Sequence, residues 1–400
     1  MKIVFLAPFG IRPKGTVIAR MLPLAAGLQK LGHTVTIVAP PYTNPEDSGI
    51  TEMVCGVRLV NITLPNAGKT LGALPMAWRM FQAALAEKPD LVHLFKPKGY
   101  GGLVAMLFVL LRRLGFRMPP LFLDTDDWEG KGGMNELVSY SASEKYLFAF
   151  QEKWLPPRMS GVTVASRMLE NIVLGMALDR ERVLYLPNCV DDQPRGDGMG
   201  VRAKLGISPE APVVLLYTRF FEFSQEKLHA VFAGIHRRVP EVRFLVVGKG
   251  RNNEEEQLVV ASLEQGFKDA LILADWVEPL ELPDYLAAGD VAIYPFTDTL
   301  VNRAKCPAKL TELLRAGLPV VADRIGQIPE YVAPELHRLL CDPGNQDEMA
   351  AKCADLLHGG MQRERASLSG RAFILQNYSW YGYADLLLDF YRKCLGITFK

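Results

Sequence analysis

The residues best suited to chemistry lie within residues 302–330, where a basic cluster surrounds a predicted helix start. Pro307 suits the first position of a helix, because it lacks an N–H and its φ is already helical. Arg303, Lys305 and Lys309 add positive charge there, and the free N–H groups of a helix N-terminus attract anions. The pattern predicts a site for a phosphorylated ligand. An ordinary amphipathic helix with a solvated basic first turn is the alternative.

Strands and helices alternate through the predicted secondary structure, which favours parallel α/β sheets. Lys2–Ala7 is predicted as a buried strand, Ile18–Leu31 as a helix and Thr34–Ala39 as the next strand. The same rhythm resumes after a linker rich in Asp, Gly and Pro at Asp191–Gly200, and His337–Leu340 is predicted as the last strand. Ligands of such sheets bind beyond the carboxyl ends of the strands.

Length and composition indicate two well-folded domains, because 400 residues with 49% hydrophobic content exceed one ordinary core. Six scattered cysteines without a CxxC pair predict reduced thiols in a cytoplasmic protein, without disulfides or structural zinc. The start, MKIVFLAPFG, predicts a first strand and not a signal peptide. The charges are balanced, with a net charge of +1, and no nucleic-acid partner is expected.

The most apolar segment, Gly101–Leu111, is too short to span a membrane and is followed by Arg112 and Arg113. Residues 1–190 contain more basic than acidic side chains, and the remainder contains more acidic ones. One interpretation is a peripheral membrane contact through the N-terminal domain. The alternative is a helix buried against the sheet.

Four strings in this order, GHTVTIV, VLYLPNCVD, FLVVGKG and PAKLTELLRAGLPVVA, resemble the retaining glycosyltransferases of family 4. The resemblance covers nearly the whole chain and implies a GT-B fold, with two Rossmann-like doubly wound domains facing an interdomain cleft. It implies an acceptor-side domain at 1–190, a nucleotide-sugar domain at 191–378 and a C-terminal helix at 379–400 that returns to the first domain.

The resemblance implies roles for several residues. Glu312 matches the acid that holds the ribose hydroxyls of the donor, a task that suits a carboxylate accepting two hydrogen bonds. Arg219 matches a cation that binds the diphosphate. Close backbone approach to a ligand is expected at Gly248 and Gly250 in the donor loop and at Gly15 in the first loop. Gly15 and Thr16 are expected in the loop that contacts the acceptor or the phosphate.

The chain departs from the family where an acid normally contacts the transferred sugar, because that place holds Ala304. Recognition of the sugar must then come from elsewhere, with Asn302 or the main chain as candidates. The neighbouring Lys305 is predicted to bind the diphosphate, and Arg303 is counted with the donor-binding residues.

A second departure follows Arg219, because Ser224 and Gln225 occupy the places of the family's Lys-Gly pair. One phosphate-binding cation is therefore missing. The candidates to replace it are Lys305, Lys309 and Lys227, since cations that stabilise the leaving group are the main catalytic contribution when no metal assists.

The third departure lies in DTDDW, where Asp127 takes the place of a histidine near the reacting sugar. A carboxylate there can bind a sugar hydroxyl or stabilise positive charge that develops at the anomeric carbon. Acids that merely end a strand are the alternative. Asp124 and Asp126 also spell the DxD motif of metal-dependent GT-A enzymes, a weak three-residue signal that we set aside.

Together these features predict a cytoplasmic, metal-independent retaining glycosyltransferase without a cofactor, using a UDP- or GDP-linked sugar and a glycan or lipid-linked acceptor. Asp127, Arg219 and Lys305 are the predicted catalytic residues. Two alternatives remain open at this point. One is a nucleotide-sugar epimerase on the same fold, and the other is a degenerate protein that binds the nucleotide without turnover.

Overall fold

The computed structural model describes residues 1–12, 15–66, 68 and 71–397, and the chain divides into two compact units. The first unit comprises Met1–Cys189, Ala304–Cys306 and the chain from Trp380 onward. The second comprises Val190–Arg303 and Pro307–Ser379. The short segment Ala304–Cys306 thus belongs to the first unit although both of its neighbours in sequence belong to the second.

Fourteen strands occur in the described part of the chain: β1 Lys2–Leu6, β2 Thr34–Ala39, β3 Thr51–Val54, β4 Val57–Asn61, β5 Leu91–Phe95, β6 Leu121–Thr125, β7 Gly161–Val164, β8 Val183–Tyr185, β9 Val213–Tyr217, β10 Arg243–Val247, β11 Leu271–Leu273, β12 Val291–Tyr294, β13 Val320–Asp323 and β14 Leu340–Cys341. The first sheet has the order β3-β4-β2-β1-β5-β6-β7-β8 and the second β11-β10-β9-β12-β13-β14. Every pairing is parallel except β3 with β4.

Fifteen α-helices connect these strands among the described residues: α1 Leu22–Lys30, α2 Ala73–Ala86, α3 Gly99–Arg113, α4 Ala142–Trp154, α5 Arg167–Leu174, α6 Gly198–Lys204, α7 Gln225–Arg238, α8 Glu254–Glu264, α9 Leu282–Ala287, α10 Leu300–Ala304, α11 Ala308–Arg315, α12 Ile328–Tyr331, α13 Gln346–His358, α14 Gly360–Asn377 and α15 Trp380–Leu395. Within that part of the chain, none is long and apolar enough to cross a membrane.

The predicted parallel α/β architecture is confirmed, and its cause is visible in the strands. β5 and β6 are buried along their whole length, as expected when helices cover both faces of a parallel sheet. Asp124 and Thr125 are buried with the rest of β6, so their polar groups must find partners inside the protein. Gly317 follows α11 with φ +81°, which is the left-handed stop that glycine permits.

The structure corrects the sequence prediction in three places. The predicted helix Ile18–Leu31 divides into a π-helical turn, Val17–Met21, and α1. The predicted strand His337–Leu340 is instead a 3₁₀ turn at Pro334–Leu339 followed by the two-residue strand β14. Here Pro334 opens the turn, where its missing N–H is no loss. The last residues of the predicted linker Asp191–Gly200 already belong to α6.

The C-terminal helix α15 packs in the first unit, against α1 and β7. A Cβ atom at Gly27 would lie 2.7 Å from Cβ of Ala384, so the two helices approach closely because this position has no side chain. Tyr391 of α15 is fully buried, and its hydroxyl lies 2.6 Å from Nδ1 of His93 in β5. Burial, with the charge of Arg20, lowers the pKa of His93 to about 3, so the ring that hydrogen-bonds the tyrosine hydroxyl is neutral.

We expect Tyr391→Phe to destabilise the protein by about 1–2 kcal/mol, because Nδ1 of His93 would lose its hydrogen bond to the tyrosine hydroxyl in a buried environment. The measurement is the free energy of unfolding in urea. Tyr381→Phe, on the exposed side of the same helix, is the matched control and should change little. Equal stability of the two variants would contradict this role for the hydrogen bond.

Candidate functional site

A buried ion pair between Arg20 and Asp124 lies near the carboxyl end of β6. Nε and Nη2 of Arg20 donate to the two carboxylate oxygens at 2.8 and 2.6 Å. The same guanidinium donates to the carbonyl of Leu186 and to Oδ1 of Asn188, while the Thr163 hydroxyl donates to Asp124 at 2.5 Å. Burial lowers the pKa of Arg20, but the Asp124 carboxylate raises it more, and the net shift is upward. The pair is therefore held in its charged form.

A second buried charge cluster surrounds Lys96, the residue that follows β5. Its Nζ lies 2.8 Å from Asp126, 2.7 Å from Asp127 and 3.3 Å from Glu129. Lys96 adopts φ +63°, a left-handed conformation that is uncommon for residues other than glycine. Three carboxylates around one ammonium offset the cost of burying that charge and of holding this backbone conformation.

The neighbouring residues extend this cluster. Nζ of Lys98 lies 2.7 Å from the second carboxylate oxygen of Glu129 and 3.4 Å from Oδ1 of Asn135. On the other side, the Thr16 hydroxyl donates to Asp126 at 3.2 Å. The cluster thus joins the loop before the π-helical turn, the end of β5 and the loop after β6, at the sheet edge where ligands of such folds bind.

The acids of this cluster differ in their electrostatics. Burial alone would raise the pKa of Asp126, but Lys96, Arg20 and Thr16 together outweigh it and the net shift is downward. For Asp127 burial dominates over Lys96, and the nearby Asp126 and Glu129 add to it, so its pKa is raised. Burial, with Glu129, also raises the pKa of Glu152 in α4 well above its usual value. Asp126 is therefore a fixed anion, whereas Asp127 and Glu152 take up protons more readily.

The structure places four of the predicted residues in the first unit. Asp127 and Thr16 both belong to the Lys96 cluster, each through a contact to Lys96 or to Asp126. Gly15 precedes the π-helical turn and accepts the amide proton of Ala19. Residues 13 and 14 of the same loop lie outside the described part of the chain. Lys305 belongs to the segment Ala304–Cys306 and is partly exposed.

That segment is held by the first unit's own side chains. The Ser166 hydroxyl donates to the Ala304 carbonyl at 2.6 Å, and Nδ2 of Asn188 donates to the Cys306 carbonyl at 2.8 Å. Ala304 is fully buried. The position where the family resemblance predicts an acid therefore carries a methyl group in a closed environment.

In the second unit, three predicted donor residues surround Tyr217 at the carboxyl end of β9. Glu312 of α11 hydrogen-bonds the Tyr217 side chain, and Arg219 lies near enough to act on its charge. Nζ of Lys309 lies 5.2 Å from the centre of the Tyr217 ring, within cation–π range. Burial, with the Glu312 carboxylate, raises the pKa of Tyr217 well above its usual value. The tyrosine is therefore a neutral hydroxyl group in contact with an acid and flanked by two cations.

The loop after β10 contains the two predicted glycines. Gly248 has φ +121°, and a Cβ atom there would lie 1.9 Å from the carbonyl oxygen of Thr218, so no other residue fits. The amide of Gly250 donates to Glu255 at the start of α8 at 3.0 Å. In this conformation the Glu255 carboxylate already accepts the hydrogen bond of the Gly250 amide.

Asn302 and Arg303 are engaged with the protein itself. Nδ2 of Asn302 donates to the carbonyls of Glu222 and Thr297 at 2.6 and 2.8 Å, and the side chain is buried. Arg303 forms a two-pronged, exposed pair with Asp298 at 2.5 and 2.8 Å. Asn302 therefore supports the loop ahead of α10, and the charge of Arg303 is already matched.

Lys227 forms a buried ion pair and does not stand exposed at the end of its helix. Its Nζ lies 2.5 Å from Asp323 and 3.2 Å from the carbonyl of Phe296. Ser224 caps the same helix by accepting from the Lys227 amide. Of the three lysines considered as replacements for the missing phosphate-binding cation, Lys227 is thus committed to a structural role, which leaves Lys305 and Lys309.

Sequence reasoning did not assign functions to Arg20, Lys96, Lys98 or Glu129. Lys96 and Lys98 did carry a signal, because two lysines lie just after a strand, at the edge where ligands bind. Arg20 carried none, since it lies within an apolar helical pattern and its partner is 104 residues away.

Comparison with solved structures of similar architecture identifies the fold. The sucrose-phosphate synthase from Thermosynechococcus elongatus superposes with a TM-score of 0.76 over 100% of both chains at 17% identity. Anabaena HepE in complex with UDP and glucose superposes with a TM-score of 0.72 over 97% of this chain and 98% of its own, at 18% identity. The predicted GT-B fold is confirmed.

The family follows from two sequence models. Residues 15–189 match the glycosyl transferase 4-like domain, and residues 211–359 match the glycosyl transferases group 1 domain. The chain belongs to this family of glycosyltransferases, as its four motifs predicted.

Individual relatives match only part of the chain. The chain is 29% identical to a D-inositol 3-phosphate glycosyltransferase of Segniliparus rotundus over 55% of its length, and 28% identical to an MMP alpha-(1->4)-mannosyltransferase of Mycolicibacterium hassiacum over 59%. The matches span 49% and 54% of those two proteins, about half the length of each.

We expect Asp124→Asn to destabilise the protein by about 3–5 kcal/mol, because it leaves the buried Arg20 charge uncompensated. Urea unfolding measures the loss. Asp298→Asn breaks an exposed ion pair and should cost less than about 1 kcal/mol. Replacing both partners, as Arg20→Met with Asp124→Leu, should restore much of the stability. A small loss in Asp124→Asn would contradict the importance of the pair.

The raised pKa of Glu152 predicts the direction in which stability changes with pH. Its folded pKa is raised, so the wild type loses stability as pH rises from the unfolded pKa of about 4.3 toward the folded one. Glu152→Gln mimics the neutral form and should be more stable than the wild type near pH 8. The two proteins should converge near pH 4, as measured by thermal unfolding across this range. The exposed control Glu364→Gln should show no such divergence, and a constant difference for Glu152→Gln would contradict the assignment.

Proposed function

We propose that the protein transfers a sugar, with retention and without a metal, from a UDP- or GDP-linked donor to a glycan or lipid-linked acceptor. The observation that supports this most directly is the grouping of Glu312, Lys309 and Arg219 around Tyr217 at the carboxyl edge of the second sheet. One structural neighbour was solved with UDP-glucose, and relatives bear the names of glycosyl- and mannosyltransferases.

In this proposal the second unit binds the donor nucleotide. Glu312 exchanges its hydrogen bond with Tyr217 for the two ribose hydroxyls, which a carboxylate can accept together. Arg219 and Lys309 supply positive charge for the diphosphate. The loop that begins at Gly248 approaches the nucleotide in this proposal, and its turn requires glycine because φ is +121° and a Cβ atom would meet the Thr218 carbonyl. Arg303 and Asn302 contribute less to donor binding, since both side chains are already bonded to protein groups.

The first unit contributes the groups for the reacting sugar and its acceptor. Asp127 is the least buried acid of the Lys96 cluster, with 19% of its side chain exposed, and its carboxylate can bind a sugar hydroxyl or stabilise the oxocarbenium-like charge of the transition state. Lys96 holds Asp127 in place. Gly15 and Thr16 belong to the loop that borders this cluster and form part of the acceptor or phosphate contact.

The reaction proceeds as a displacement on one face of the sugar. The bond between the anomeric carbon and the diphosphate oxygen breaks, and the acceptor oxygen forms its bond to the same face of that carbon. The acceptor hydroxyl gives its proton to the departing phosphate oxygen. Arg219 and Lys305 stabilise the negative charge on the leaving group, which is the largest contribution such a site can make.

A protein that binds nucleotide without turnover is the second candidate. Two features favour it: Ala304 in place of the acid that contacts the sugar, and Ser224 in place of a phosphate-binding lysine. An epimerase on the same fold is the third. Incubation with donor alone identifies an epimerase, because it changes the donor sugar without acceptor. A binding protein is identified by nucleotide binding with no hydrolysis or transfer across a broad panel of acceptors.

The decisive experiment is a thermal-shift screen against UDP- and GDP-sugars, followed by a transfer assay with the donor that stabilises the protein. Glu312→Ala and Arg219→Ala should each lower the rate about 100-fold or more, with unchanged unfolding temperature in the absence of donor. Glu364→Ala and Arg365→Ala, exposed on α14, are matched controls. Full activity in either site variant, or activity that requires a divalent metal after EDTA treatment, would contradict the proposal.

A further inference from the structure

The outward face of α3 is apolar along its whole length. Leu103, Met106 and Leu107 are partly exposed, and Leu110 and Leu114 follow them at helical spacing with 53% and 65% of their surface exposed. A surface helix normally presents polar side chains to solvent, and one that is apolar on all sides is normally buried. α3 is neither, so its outward face is a candidate contact surface.

The turn that follows α3 continues this face and adds charge. Residues 112–117 read Arg-Arg-Leu-Gly-Phe-Arg, and every one of them is exposed. Phe116 has 56% of its surface exposed. Arg112 is anchored by donating to the carbonyls of Met118 and Pro119, which fixes the turn.

α4 widens the surface. It contacts α3, and the Arg113 guanidinium lies 5.9 Å from the centre of the Trp154 ring. Phe150 stacks on Trp154 and is itself exposed. We call the combined surface of Leu110, Arg113, Leu114, Phe116, Arg117, Phe150, Lys153 and Trp154 the α3–α4 face.

The charge on this face has one sign. Residues 103–120 contain three arginines and no acid. On the adjoining part of α4, Lys153 is exposed and the neighbouring Glu152 is buried beneath it. A second copy of the chain would bring like charges together, which disfavours self-association through this face. Exposed leucine and phenylalanine beside arginines instead match the boundary of an anionic bilayer, where apolar side chains insert and basic ones meet headgroups.

We propose that the α3–α4 face docks the protein onto the surface of a membrane that contains anionic lipids. The helices lie on the bilayer and do not span it, since no helix in the described residues is long and apolar enough to do so. This inference does not rest on the proposed function, because it concerns a surface apart from the charged cluster and the donor residues.

The test is co-sedimentation of the full-length protein with vesicles of phosphatidylcholine alone, or with about 30% phosphatidylglycerol. The wild type should sediment with the anionic vesicles and remain in solution with the neutral ones. Binding should fall steeply when salt rises to about 0.5 M, because screening removes the attraction of exposed charges. No binding to anionic vesicles at low salt, or equal binding to both kinds, would overturn the proposal.

Variants identify the face. Leu114→Glu with Phe116→Glu should weaken vesicle binding more than about tenfold, since both insertion and charge are lost. Arg117→Gln alone should weaken it about fivefold, the effect of one basic residue near an anionic surface. Leu280→Glu changes a leucine that is 93% exposed in the second unit and is the matched control. Unchanged unfolding temperatures show that the exposed substitutions leave the fold intact.

Two further results would overturn the assignment. Equal loss of binding in Leu280→Glu would show that the effect is not specific to the α3–α4 face. A concentration-dependent dimer in size-exclusion chromatography, abolished by Leu114→Glu with Phe116→Glu, would show that a second copy occupies the face. Vesicle binding is read without donor or turnover, so its failure and a failure of sugar transfer are separate results.

Discussion

The first unit depends on a charged pair that water does not reach. Arg20 and Asp124 satisfy each other through two hydrogen bonds, and the remaining donors of Arg20 reach Leu186 and Asn188. Such a pair adds little net stability compared with apolar groups, but breaking it is costly. It therefore fixes an arrangement, because the turn Val17–Met21, β6 and the chain after β8 must meet at one point.

That fixed point positions the chemistry beyond it. Asp126 and Asp127 follow Asp124 by only two and three residues, so the place of β6 determines where their carboxylates stand. Lys96 reaches them from the neighbouring strand β5, at the price of a left-handed backbone. Backbone strain of this kind persists only where surrounding contacts over-determine it, and three carboxylates around one ammonium provide those contacts.

Much of the fold was predictable from the periodicity of apolar residues and from the glycines and prolines that end strands and helices. The alternation of apolar strands and helices predicted both sheets, and Gly317 takes the left-handed conformation expected of a helix stop. The motif around Glu312 predicted its element, but not its hydrogen bond to Tyr217. DTDDW showed three acids and could not show that Asp124 faces Arg20 while Asp127 faces Lys96. Those partners lie 104 and 31 residues away, and a single sequence contains no record of such pairings.

The surroundings of Ala304 make an acid unfavourable at this position. Its position is fully buried in the first unit, and its carbonyl is already bound by Ser166. A carboxylate there would need a compensating partner, since an unpaired buried charge is strongly unfavourable. The same unit has an acid at Asp127, where the family resemblance implies a histidine, and that acid has Lys96 as its partner. Under the proposed function, the carboxylate that binds sugar hydroxyls is therefore Asp127, because Lys96 stands beside it, and not an acid at position 304.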